Sequence, residues 1–160
     1  MGQITVRQAR AGDGAIVQEM LEEAAHWVDA LGVVMWEEGE LAPGRVDEEI
    51  ARGQFFLAEV SGDPAGAVKF QLEDRLFWPD HSENDSAFIH RLVVRRRYKG
   101  FGVSSALMGW AADRARTIGK QWLRLDCDAS RPKLRQLYEA FGFQFHSFRQ
   151  VGAYYVARYE

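Results

Sequence analysis

The 160 residues carry 20 basic and 23 acidic side chains, a net charge of −3, so no overall field gathers nucleic acid or anionic lipid and an anionic ligand needs a local basic site. A hydrophobic share of 47% beside 27% charged residues is the composition of one packed domain and excludes a disordered chain. The single Cys127 excludes an intramolecular disulfide or thiolate metal cluster; with no leader pattern and no apolar run near the roughly twenty residues of a membrane span, it predicts a cytoplasmic protein without a membrane partner.

Residues 4–8 alternate apolar and polar as a half-buried strand does, and the Gly12-Asp13-Gly14 turn leads into a helix with Asp13 as N-cap. Val17, Met20, Leu21, Ala24, Val28 and Leu31 recur at three-and-four spacing, until Gly32 supplies a left-handed terminating residue. An acidic stretch with Glu37, Glu38 and Glu40 follows, then Pro43-Gly44 and a short helix marked by Val46, Ile50 and Ala51. The apolar runs 54–60 and 65–72 predict an antiparallel hairpin whose Gly62-Asp63 pair supplies the positive turn angles. A polar loop around Trp78-Pro79-Asp80 precedes a strong strand at 87–94, which runs into a basic glycine loop at 95–102. Val103, Leu107, Trp110, Ala111, Ala115 and Ile118 stripe a helix closed by Gly119, and a strand at 122–126 comes next. Pro132 suits a first helical turn, Leu134, Leu137, Tyr138 and Phe141 share a helical face, and Gly142-Phe143 gives a Schellman-type stop. Strands 144–148 and 153–159, joined at Gly152, end the chain. This order, without repeats or linkers, predicts a single domain over 1–160 of α/β or α+β class with a central sheet.

The segment Leu92-Val93-Val94-Arg95-Arg96-Arg97-Tyr98-Lys99-Gly100-Phe101-Gly102-Val103-Ser104 reads strand, basic glycine loop, helix start. A helix N-terminus offers unpaired N–H groups and a positive dipole end, and glycines let a phosphate approach the backbone without a side-chain clash. Neither the Walker pattern nor Gly-x-Gly-x-x-Gly is present, so the anion is of another kind. Taken alone the loop also reads as a solvated basic turn; the strand–helix order around it, through Leu137-Tyr138-Glu139-Ala140-Phe141-Gly142-Phe143, turns the reading toward a ligand site.

These residues resemble the GNAT superfamily of N-acetyltransferases, whose acetyl-CoA motif runs Leu-x-Val, a short turn, then Arg/Gln-x-x-Gly-x-Gly/Ala opening a helix, and the likeness spans nearly the whole chain. Two registers fit, Lys99-x-x-Gly102-x-Ser104 and Arg97-x-x-Gly100-x-Gly102. The first keeps the family's spacing from Leu92-x-Val94 and sets Leu107-Met108 where its helix carries an apolar pair, with Lys99 and Ser104 as departures from the pattern. The resemblance implies a mixed, mostly antiparallel central sheet flanked by helices and acetyl-CoA as cosubstrate. It implies that the pyrophosphate sits on the N–H groups of Lys99, Gly100, Phe101, Gly102, Val103 and Ser104, and that the pantetheine arm pairs with the backbone of Leu92, Val93 and Val94 where two strands part. Arg95, Arg96, Arg97 and Lys99 would supply local positive charge.

The same resemblance implies Tyr138 as the proton donor to the leaving thiolate, a step between a phenol near 10 and a thiol near 8.5; packing with Leu134 and Phe141 is the other reading of that residue. Where many relatives carry asparagine at the helix start this chain has Arg131, which, or Ser130, contacts the carrier instead, while Ser130 equally reads as a plain helix start. The implied reaction is direct attack by a neutral amine, with a strand amide near Val94 steadying the oxyanion and Cys127 left as a core residue. The strand at 87–94 has no carboxylate, so His90 is its candidate base, placed by alternation on the face of Phe88, Leu92 and Val94; Glu73, Glu83 and Asp85 are further candidates. His26, His81, His90 and His146 lack metal-ligand spacing, and no metal is expected. The acceptor, a small-molecule or peptide amine, is expected against residues 27–40 and the loop of Phe77 and Trp78, with no nucleic acid partner and a homodimer left open. The alternative is a catalytically inactive GNAT-fold module that binds acyl-CoA or a protein partner.

Overall fold

Strand β1 (Ile4–Gln8) pairs antiparallel with β2 (Phe55–Val60), and β2 turns directly into β3 (Asp63–Gln71). The computed structural model describes residues 2–29, 42, 44–81 and 84–160. Leu31, Gly32, Glu37, Glu38, Glu40, Pro43 and Glu83 lie outside these residues. The remaining elements are α1 (Gly14–Asp29), α2 (Arg45–Ala51), β4 (Ser86–Val94), α3 (Val103–Thr117), β5 (Trp122–Asp128), α4 (Pro132–Phe141), β6 (Phe145–Val151) and β7 (Tyr154–Tyr159). The strands form a mixed sheet in the order β1-β2-β3-β4-β5-β7-β6, in which β4 and β5 run parallel and β5, β7 and β6 pair antiparallel. This is the mixed, mostly antiparallel sheet with helices that the family resemblance implied. No described helix is long and apolar enough to cross a membrane.

The chain makes two compact units, one of Met1–Lys69 with Arg91–Leu107, the other of Phe70–His90 with Met108–Glu160. In the first, the apolar stripe of α1 buries Val17, Met20 and Leu21, and α2 adds Val46 and Ile50. These side chains share a core with Phe55, Leu57, Ala67 and Val93, each large one contributing about 1.5–3 kcal/mol on burial. Two local expectations need correction. The hairpin's positive angles fall on Ser61 (φ 50°) and Gly62 (φ 85°), not on Gly62 and Asp63, because Val60 and Asp63 already pair across the turn. Asp13 precedes the first residue of α1, yet its carboxylate accepts from the Arg7 guanidinium (2.8 and 3.2 Å) and the Arg10 amide (2.7 Å). The Arg7 hydrogen bond holds that carboxyl below its usual range, so Asp13 ties β1 to the following turn. A buried Lys69–Glu49 ion pair joins β3 to α2.

In the second unit Trp78 is 1% exposed. The Arg158 guanidinium lies 4.5 Å and that of Arg124 5.1 Å from its ring centroid, and His81, His146 and Phe88 pack around it. Trp78 is therefore core and not part of an acceptor roof. Pro79 and Asp80 are exposed as their polarity suggests, and Asp80 accepts from the two terminal nitrogens of the Arg158 guanidinium that covers Trp78. Helix α4 begins with Pro132 at its first turn and ends in the expected Schellman motif, with Phe143 N–H donating to Tyr138 C=O and Gly142 N–H to Glu139 C=O (both 3.1 Å). Of its four face residues only Tyr138 is buried, and Phe141 is 37% exposed. Strand β5 runs two residues past the expected end at Asp126, which brings Cys127 and Asp128 into the sheet.

Candidate active site

The first unit carries the glycine loop. A 3-10 turn over Arg96–Tyr98 leads to Gly100 and Gly102, whose φ angles of 83° and 84° demand glycine, and a Cβ on either would meet nothing within 4 Å. The Lys99 N–H is taken by Arg96 C=O (3.1 Å) and the Phe101 N–H by Tyr98 C=O (3.1 Å). The expected cradle is thus narrower than the run 99–104. The N–H groups of Gly100, Gly102, Val103, Ser104 and Ser105 donate to no described residue, and the last three open α3 with its positive dipole end.

The expected cationic cluster narrows in the same way. Arg95 is buried and bonded to Glu19 (3.1 Å), Arg97 pairs with Asp63 (2.7 Å), and Arg96 stacks on Trp27 at 4.1 Å. Asp63 also accepts the Tyr98 hydroxyl. Arg96 and Lys99, both exposed, are the loop cations that no described carboxylate neutralises, and of the two only Lys99 is not stacked on a described ring. Upstream, Arg91 holds a φ of 54° that only glycine adopts easily, costing about 1–3 kcal/mol. Val93 enters the core, while His90, Leu92 and Val94 stay half-buried.

The second unit carries a titratable cluster. The β4–β5 ladder pairs Ser86 to Phe88 with Trp122 to Arg124, and two residues further along each strand stand His90 and Asp126. His90 Nδ1 lies 3.7 Å from Asp126 Oδ2, and its Nε2 lies 2.9 Å from Asp74 Oδ2. Asp74 Oδ1 accepts from the Leu76 and Phe77 amides at 3.1 and 2.9 Å. Burial pushes the Asp74 carboxyl up, and the His90 bond with those amides brings it net below its ordinary value. Burial drives Asp126 up to about 6. Sequence reasoning named Glu73, the neighbour of the residue that contacts His90; Glu73 is exposed and paired with Arg75, and Asp85 accepts from the Ser86 hydroxyl. One atom each of Asp74, His90 and Asp126 lie within 4.8 Å of one another, so among the described residues these three can hold a metal ion.

Tyr138 packs edge-on against Phe143 and tilted to Tyr159, and its hydroxyl bonds no described residue. Burial first, then the nearby Cys127 and Asp126, raises its phenol above the ordinary value, so Tyr138 keeps its proton near neutrality and is a weaker acid than a free phenol. Burial also pushes the Cys127 thiol up to about 12, which leaves it inert. Arg131 occupies the N-cap position of α4 with no side-chain cap bond, and the Ser130 hydroxyl donates to Asp128 (2.7 Å) and does not start the helix.

Comparison with known proteins agrees with this architecture. The model of the acetyltransferase (GNAT) family matches residues 17–143, well over half the chain, and the chain belongs to that family. Membership makes it an acetyl-CoA-dependent N-acetyltransferase. The Bacillus subtilis (strain 168) protein called uncharacterized N-acetyltransferase YesJ is 27% identical over 141 residues, 83% of this chain and 77% of the relative. A GNAT-family acetyltransferase from Listeria monocytogenes 4b F2365 superposes with a TM-score of 0.78 at 24% identity, covering 97% of this chain and 93% of that one. The PaiA N-acetyltransferase of Thermoplasma acidophilum, solved with coenzyme A, superposes with a TM-score of 0.77 at 17% identity and covers 98% of both chains.

Proposed function

We propose that the chain, acting as one domain over 1–160, transfers acetyl from acetyl-CoA to a primary amine by direct attack, without a covalent enzyme intermediate. The observation that carries this reading is the set of unpaired amides at Gly100 and 102–105 beside the unneutralised Lys99. Such a cradle suits a diphosphate: donors converge, glycine leaves the approach open, and the helix dipole adds favourable charge. In this reading Leu92, Val93 and Val94 offer backbone to the amide-bearing pantetheine arm, and Arg131 lends charge to the carrier.

The chemistry falls to the second unit's residues. His90, flanked by two carboxylates, accepts a proton from the incoming ammonium, and Tyr138 returns one to the departing sulfur. Direct attack leaves Cys127 without a catalytic task. A cytoplasmic setting fits the sole, reduced cysteine. The test is free-thiol release from acetyl-CoA in the presence of a primary-amine panel. Amine-dependent release supports the reading, whereas acetyl-CoA binding without release from any amine marks a non-catalytic carrier-binding module.

A further inference from the structure

Asp126 is a buried acid with one unsatisfied oxygen. Its side chain is 8% exposed, and Oδ2 accepts no hydrogen bond from a described residue, an arrangement that native cores avoid unless a ligand or function compensates it. The 3.7 Å between that oxygen and His90 Nδ1 exceeds a hydrogen bond, yet it suits a donor that reaches both atoms at once. On the other side of the ring Asp74 Oδ2 faces Nε2 at 2.9 Å, while Asp74 Oδ1 is held by two amides. Asp74 Oδ2, like Asp126 Oδ2, accepts no hydrogen bond from a described residue, so two buried, unsatisfied carboxylate oxygens flank one imidazole.

We propose that Asp126 and His90 Nδ1 together receive the acceptor's ammonium group, and that the acceptor is a primary alkyl or arylalkyl amine with no carboxylate beside its nitrogen. This names the substrate class of the N-acetyltransferase reading and rests on it. Charge supports it: Asp74 and Asp126 flank one imidazole. The cation nearest in electrostatic reach of Asp126 besides His90 is Arg158, already bonded to both Asp80 oxygens and to Phe77 C=O. An amino acid would bring a third carboxylate into that field. Phe77, with its ring centroid 6.2 Å from His90 and 6.1 Å from Tyr154, offers an apolar wall for the amine's hydrocarbon.

The step balances. One ammonium proton passes to Nδ1 and then to solvent, while Asp126 keeps a hydrogen bond to the neutral amine. As the C–N bond forms and the C–S bond breaks, the nitrogen's second proton leaves by the same route to solvent, Tyr138 protonates the departing thiolate, and a solvent proton restores the phenol, so that one proton is released per turnover.

The experiment compares matched pairs, phenethylamine with phenylalanine and isopentylamine with leucine, in the wild type and in Asp126→Asn. The acetyl-CoA KM and the acetyl-CoA-induced rise in Tm are followed in parallel. Each amine is expected to exceed its amino acid in kcat/KM by at least 100-fold. Asp126→Asn should raise the amine KM at least tenfold, narrow the amine preference and leave both acetyl-CoA readouts unchanged. Equal use of the amino acids by the wild type overturns the proposal without recourse to the variant. So does an equal loss on both members of a pair, or an enzyme that acetyl-CoA stabilises but that accepts none of these amines. Absence of acetyl-CoA binding instead defeats the N-acetyltransferase reading, and the acceptor proposal falls with it.

Discussion

Gly66 and Val93 approach so closely that a Cβ on Gly66 would stand 2.7 Å from the Val93 carbonyl oxygen, with Val103 Cγ1 at 2.9 Å and Leu107 Cδ1 at 3.3 Å. Glycine in β3 thus lets the start of α3 and the end of β4 settle against the strand, and Arg95 N–H bonds Ala65 C=O (2.8 Å) one residue away. Backbone cannot retreat as a flexible side chain can. Gly66→Ala should therefore destabilise by about 1–3 kcal/mol, lowering Tm by roughly 2–12 °C for a chain of this size. It should also weaken acetyl-CoA binding, because Val103 carries one of the free amides. An unchanged melting curve would show that this approach is not tight.

The phosphate cradle predicts separable effects for its glycine and its cation. Gly102→Glu places a side chain at a φ of 84° and a carboxylate beside the free amides, so it should abolish the acetyl-CoA-induced rise in Tm. Lys99→Ala removes only charge. It should weaken the carrier's Kd about fivefold, corresponding to about 1 kcal/mol, with the difference shrinking at high salt. Calorimetric titration at two salt concentrations checks both. A Gly102→Glu protein that still responds fully to acetyl-CoA would move the site elsewhere.

Periodicity and punctuation made the element order legible: among the described residues each helix stripe and each apolar run became the element expected, and its described ends fall within a few residues of those read from the sequence. The misreadings sit where the backbone changes hand or a distant charge intervenes. Arg91 takes a positive φ within β4 that no local glycine announces. Ser61 takes the positive φ expected of Asp63. Trp78 looked like a loop aromatic because Arg124 and Arg158, which bury it, lie far along the chain. The phosphate loop was readable from local glycines and basic residues, but which amides and cations stay free depends on Arg96 C=O, Tyr98 C=O, Glu19 and Asp63. The acid beside His90 was missed because strand register, and not sequence proximity, sets Asp126 opposite it. The available signal was the alternation Leu123-Arg124-Leu125-Asp126-Cys127, which sets two charged residues on one face of a strand.

Tyr138 separates packing from chemistry. Its ring is buried against Phe143 and Tyr159, while its hydroxyl bonds no described residue. Tyr138→Phe keeps the ring and so should leave Tm nearly unchanged. If the phenol protonates the leaving sulfur, turnover should fall roughly 100-fold with the acetyl-CoA Kd unaffected. A fully active Phe variant returns this residue to a packing role.

Asp126 lets the cost of the site be read without any substrate. Its carboxyl is raised from 3.8 to about 6, chiefly by burial and next by the Asp74 charge, with His90 and Arg158 pulling the other way. A raised acid binds its proton more tightly in the folded state, so between pH 4 and 6 the folded protein holds more protons than the unfolded chain and stability falls as pH rises. Below pH 4 the acid is protonated in both states and imposes no penalty. Above pH 6 the penalty is complete, about 3 kcal/mol for a displacement of that size. Asp126→Asn removes the ionisation and keeps the shape, so in the absence of acetyl-CoA and amine it should raise Tm by roughly 6–12 °C at pH 8 and leave it unchanged near pH 4. Thermal melts of both proteins across that range check the sign. A destabilised Asn variant at pH 8 would mean that the carboxylate is already paired in the resting protein, and that no place is held open for an incoming cation.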